Sequence, residues 1–185
     1  RPRWDLDGLL GEAPFWGRFW EHPGLCAEGR DTLAAARDHL RAVIGGHAAA
    51  GGDFGLIHAD VLRENVLVGP DGAALTLIDF DDSGYGFRLY DLGTALSQNL
   101  HEPHFPAIAG ALVEGYASGR DFPADHWPVI EAFTLMRCCA SVGWTIPRLP
   151  TDHPTVRAYL ARALMLARCL LAGQPMTGAA SPPAG

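Results

Sequence analysis

The sequence predicts a mainly α-helical chain that carries one small β-hairpin, an α+β arrangement. Three observations lead there. Four long segments beyond residue 88 repeat their apolar residues at helical spacing. Short β-prone runs gather between residues 54 and 78. The turn sequence GPDG at 69–72 joins two of those runs.

Residues 1–25 are aromatic and turn-rich, with Trp4, Phe15, Trp16, Phe19 and Trp20. APFWGRFW predicts a short helix that sets Phe15 against Phe19 and Trp16 against Trp20 as i,i+4 pairs, packing an aromatic face. Residues 28–50 carry Leu33, Ala36, Leu40, Val43 and Ile44 on one face and predict a helix. Asp31 is placed to cap its start, and Gly45-Gly46 to end it. FGLIH at 54–58, VLV at 66–68 and LTLI at 75–78 read as strands, the last two forming the hairpin. Helices are then expected over 89–99, 104–118, 126–145 and 153–172, broken at Pro103, Gly119 and PRLP. Residues 1–172 thus read as one unit: a helix at 28–50, an acidic loop-and-hairpin region at 54–83, and a helical subdomain at 89–172. The Pro-rich tail 173–185 is expected to be disordered.

An apolar fraction of 48% supports a sizeable core. A formal net charge of −7 without a basic stripe argues against nucleic acid and anionic membranes as partners. All 14 basic residues are arginine, so chemistry that needs a lysine is excluded from this chain. The four cysteines form no CxxC pair, which fits a reduced, cytoplasmic compartment. No apolar run reaches membrane-spanning length. The opening RPRWDLDGLL has neither Met nor an apolar signal core, and the expectation is a start inside a longer gene product.

The acidic region LIHADVLRENVLVGPDGAALTLIDFDDSG, residues 56–84, holds six carboxylates. His58, Asp60 and Asn65 stand as His-x-Asp-x4-Asn, and Asp79 follows the hairpin. A carboxylate in a loop after a strand can take a proton from an attacking hydroxyl. An amide oxygen and a second carboxylate are hard ligands suited to Mg²⁺, which keeps waters and phosphate oxygens for its other positions.

Together these motifs resemble the catalytic core of the protein-kinase-like fold. The wording HADVLRENVLV followed by LIDFDDSGYGFRLYDLGTAL is similar to the aminoglycoside phosphotransferase, choline kinase and type II homoserine kinase group. The similarity spans about residues 54 to 98. It implies an ATP- and Mg²⁺-dependent kinase acting on a hydroxyl of a small molecule. By position it makes Asp60 the catalytic base, and Asn65 and Asp79 the metal and nucleotide-phosphate ligands. His58 would brace the loop, and Asp91 of YDLG would hold it through hydrogen bonds. Ala59 stands where protein kinases carry an arginine, so phosphate docking of an activation loop is not implied.

The resemblance also calls for an N-terminal β lobe with a phosphate-binding lysine. Only 57 residues precede His58, and they read as helix and turn. The expectation is therefore the C-terminal lobe alone, inactive by itself, with the N-terminal lobe of the same protein as its partner. Two alternatives stand beside it. One is a pseudokinase or helical binding module. The other is a haloacid-dehalogenase-like phosphatase using Asp79 and Asp81, which the absence of following βα alternation weighs against.

Overall fold

The computed structural model describes residues 1–72, 74–120, 126–174 and 176. The described elements are six helices, two short sheets and two 3-10 turns. The N-terminal segment forms β1 (Arg3–Trp4) and a five-residue helix α1 (Leu6–Leu10), capped by the Asp5 carboxylate on the Gly8 amide. Helix α2 runs Ala27–Ala49 and buries Leu33, Ala36, Leu40 and Ile44 at helical spacing. The expected ends differ. Cys26 occupies the N-cap position, and Asp31 lies inside the helix. Gly45 and Gly46 also lie inside it. The chain turns instead at Gly51, whose φ of +83° suits a residue without a Cβ.

β2 (Phe54–Ile57) and β5 (Gly84–Phe87) pair antiparallel, and β1 joins the other side of β5 in parallel, giving the order β1-β5-β2. β3 (Val66–Val68) and β4 (Leu75–Leu77) form the predicted hairpin. The three-stranded sheet is absent from the sequence expectation because β1 is two residues long and β5, GYGF, carries no apolar alternation.

α3 (Leu89–Ser97), α4 (Phe105–Ala117), α5 (Trp127–Thr145) and α6 (Pro154–Leu171) fall within about two residues of the expected spans. α5 is the central helix, with Phe133, Leu135, Met136, Cys138, Cys139 and Val142 all inaccessible to solvent or nearly so. α3 crosses it at Gly93. A Cβ there would stand 2.6 Å from the Phe133 carbonyl carbon and 2.7 Å from the Thr134 nitrogen. Glycine thus sets how closely the two backbones approach.

The helix expected over APFWGRFW does not form. Gly17 has φ +97°, and only Phe19–Glu21 closes a 3-10 turn. Its aromatic residues still pack, but through tertiary contacts: Trp4 meets Phe15, Trp16 and Tyr90 with ring centroids 4.8, 6.2 and 5.8 Å away. Most of the tail 173–185 lies outside the described residues. Among the described residues no helix is long and apolar enough to cross a membrane.

Candidate active site

The acidic region follows β2. Ala59 and Asp79 both have positive φ, +68° and +62°, a conformation that costs a non-glycine residue about 1–3 kcal/mol unless its surroundings fix it. For Ala59 the fixing contacts are present. Asp91, in the first turn of α3, accepts the amide N–H of His58 at 2.9 Å and of Ala59 at 2.8 Å. Burial raises the Asp91 pKa, and those two N–H groups together with His58 pull it the other way.

His58 is 4% exposed and uses both ring nitrogens. Nδ1 accepts the Asp60 amide at 3.3 Å, so Nε2 carries the proton and donates to the Ile78 carbonyl at 2.9 Å. The Ile78 amide in turn donates to the Asn65 carbonyl at 3.0 Å. The loop bearing Asp60 and Asn65 is thereby tied to the residue preceding Asp79.

Asn65 is buried, and its Nδ2 donates to the Asp60 carbonyl at 2.9 Å and to Asp60 Oδ2 at 3.0 Å. Both bonds use the amide nitrogen, which leaves Oδ1 for another partner. Asp60 Oδ1 accepts from Arg137 Nη2 of α5 at 2.7 Å, an ion pair whose side chains are 22% and 12% exposed. Each Asp60 oxygen is thus held by one donor and keeps lone pairs for a further one.

Asp79 is exposed and forms no ion pair among the described residues. Asp82 lies between the two sets. Its pKa is raised first by burial and next by Asp60, with Asp79 and Asp81 adding to the repulsion and Arg137 easing it. Asp60, Asp79, Asp81 and Asp82 therefore share one field. The Asp82 loop is anchored from the N-terminus: Trp4 Nε1 donates to the Asp82 carbonyl at 2.9 Å, and Arg1 reaches Ser83.

Among the described residues no group of three or more His, Cys, Asp or Glu is arranged to hold a metal. The donor set does fit a hard cation that takes few protein ligands: the Asn65 Oδ1 and the Asp79 carboxylate.

Asp60 opens on a cavity of about 180 Å³ walled by Trp16, Asp82, Arg137, Trp144 and Tyr159. Of these walls, the Trp144 and Trp16 rings are already met from within the chain. The Arg148 guanidinium lies 4.8 Å from the Trp144 ring centroid and 5.2 Å from that of Trp16. A second compartment of about 350 Å³ adjoins, sharing Leu62, Arg137, Ser141 and Tyr159.

Arg137 escaped the sequence reading. Its signal was a lone arginine in the run FTLMRCCASV, otherwise apolar or small, where an unpaired charge would be costly. His101 lines the second compartment while remaining exposed.

A loop bearing His58, Asp60 and Asn65, a hairpin, a following acidic loop and a helical subdomain match the C-terminal lobe of the protein-kinase-like fold. A sequence model of the phosphotransferase enzyme family (APH) matches residues 6–133, and the chain belongs to that family. Among solved structures it is similar to the microcompartment-associated aminopropanol kinase, with 31% identity and a TM-score of 0.81. That match covers 94% of this chain and 55% of the other. It shares a fold with the amicoumacin kinase hAmiN in complex with AMP-PNP, Ca²⁺ and Ami, at 18% identity and a TM-score of 0.58. That second match covers 82% of this chain and 47% of the other. The chain spans about half the length of these kinases. No curated protein matches it. Membership of a phosphotransferase family removes the dehalogenase-like alternative. The sheets agree, since among the described residues β4 pairs only with β3 and opens no parallel α/β sheet.

Proposed function

We propose that this chain is the catalytic lobe of an ATP- and Mg²⁺-dependent kinase that phosphorylates a hydroxyl of a small molecule. The observation that carries the reading is Asp60. Its carboxylate is held on one side by Asn65 and on the other by Arg137, and it opens on a cavity sized for a small acceptor. The acceptor oxygen bonds to the γ-phosphorus as the bond to the β-phosphate oxygen breaks, and the hydroxyl proton passes to Asp60. Mg²⁺ on Asn65 and Asp79 would neutralise charge on the phosphates. Arg137 keeps Asp60 aimed, while His58 and Asp91 fix the loop that carries it.

Phosphate binding needs positive charge, and among the described residues Asp79 has no ion-pair partner. The reading therefore includes the N-terminal lobe of the same protein, seated over the hairpin. Support comes from the half-length match and from an apolar face there, with Leu56 62% and Leu75 68% exposed. The likeness to a kinase named for aminopropanol favours a small acceptor such as an amino alcohol or a homoserine-like compound over an aminoglycoside. A cytoplasmic location goes with ATP as donor.

The test uses the full-length protein with Mg²⁺·ATP and a panel of hydroxyl compounds, read by ADP release and ³¹P NMR. Asp60→Asn is expected to lower kcat by about 10²–10⁴-fold with the KM for ATP nearly unchanged. Asp79→Asn is expected to abolish turnover. Retention of most of the wild-type rate by Asp60→Asn refutes the assignment of the base.

A further inference from the structure

We propose that the second compartment binds a carboxylate carried by the acceptor, which makes the acceptor a short hydroxy acid or hydroxy amino acid. This inference rests on the kinase reading above and deepens it. The compartment of about 350 Å³ is walled by Arg63, Arg137 and Arg162 with His101, against the single carboxylate of Glu64. Two of these positive charges are already matched, Arg63 by Glu102 and Arg137 by Asp60. Arg63 is also taken by Asn99, and Glu64 accepts from Gln98 at 2.9 Å.

Arg137 and Arg162 nevertheless keep donors to spare. Arg162 of α6 forms no ion pair among the described residues. Its guanidinium lies 5.2 Å from the Tyr159 ring centroid and reaches the Ser97 carbonyl at 3.4 Å. Arg137 gives Nη2 to Asp60, and in both arginines Nε is buried without a hydrogen-bond partner. Two guanidinium groups therefore line one cavity with η-nitrogen donors unspent. Their planar forks match a carboxylate.

Arg137 also fixes the reach. One of its nitrogens sits on Asp60, so an anion on its far side lies roughly 6–8 Å from the hydroxyl site, about two hydrogen-bond lengths plus the guanidinium. That separation suits a skeleton of a few carbons. An ammonium group on the same skeleton finds Asp82 in the first compartment.

The experiment compares acceptors that differ only in the carboxylate: threonine with 1-aminopropan-2-ol, and serine with ethanolamine. In the full-length protein with Mg²⁺·ATP, kcat/KM is expected to favour the carboxylate member by about 10- to 100-fold, mainly through KM. Arg162→Gln is expected to bring that ratio to within about threefold of unity, and Arg162→Lys to restore part of it. Calorimetric titration of each compound into the same protein reads the subsite without turnover and should show the same order. Equal or better use and binding of the carboxylate-free members, or a ratio unmoved by Arg162→Gln, overturns the inference. Failure of the kinase reading looks different: no compound is phosphorylated, while the titrations still report whether the carboxylate is bound.

Discussion

Replacing Asp91 by alanine strips two backbone donors of their acceptor at once. The amides of His58 and Ala59 meet its carboxylate at 2.9 and 2.8 Å, and both point into the protein. An unsatisfied buried donor costs about 1–3 kcal/mol, so the pair costs about 2–6 kcal/mol. Part returns, because burial of this carboxylate is itself unfavourable, as its raised pKa shows. A net loss of about 2–4 kcal/mol is expected, worth roughly 5–15 °C in Tm for a chain of this size. Ala59 would also lose the contact that holds its positive φ, so the Asp60 loop should loosen and kcat fall with it. Asp91→Asn keeps one acceptor oxygen and should fall between the two. Thermal unfolding followed by circular dichroism checks the order. A Tm for Asp91→Ala within about 1 °C of wild type refutes the reasoning.

Gly93→Ala should cost about 1–3 kcal/mol or more by driving α3 off the α5 backbone, although helix propensity alone favours alanine. Urea unfolding checks this, and an alanine variant as stable as wild type removes the close-approach argument. His22 and His47 are buried and hold their pKa values below the ordinary 6.5, His22 through burial, His47 through burial and the nearby His126 against the pull of Asp53. Their folded values are depressed, so their contribution to stability is full above pH 6.5 and is lost as pH falls from there through the folded values. The limiting slope is about 1.4 kcal/mol per pH unit for each. Comparing urea unfolding of wild type and His22→Gln between pH 8 and 5 isolates the effect. An identical pH dependence in the two proteins rules it out for His22.

The spacing of apolar residues was enough to place α2 to α6 and the β3–β4 hairpin, because those elements follow a local period. The His-x-Asp-x4-Asn run and the Asp79 loop were legible as a candidate site for a similar reason: most of their contacts join residues 58 to 79, close in sequence. What sequence could not supply came from chain segments far apart. Trp4 reaches Asp82, Arg137 reaches Asp60, and β1 joins β5 across some 80 residues. The helix expected at APFWGRFW gave way to tertiary packing, since the burial of Trp4, Phe19 and Trp20 outweighs a weak propensity interrupted by Gly17. Local periodicity decides which elements form. Only the packing of α5 and α6 against the loop decided which arginines face the cavity, because a single arginine in a helix carries no period to reveal where it points.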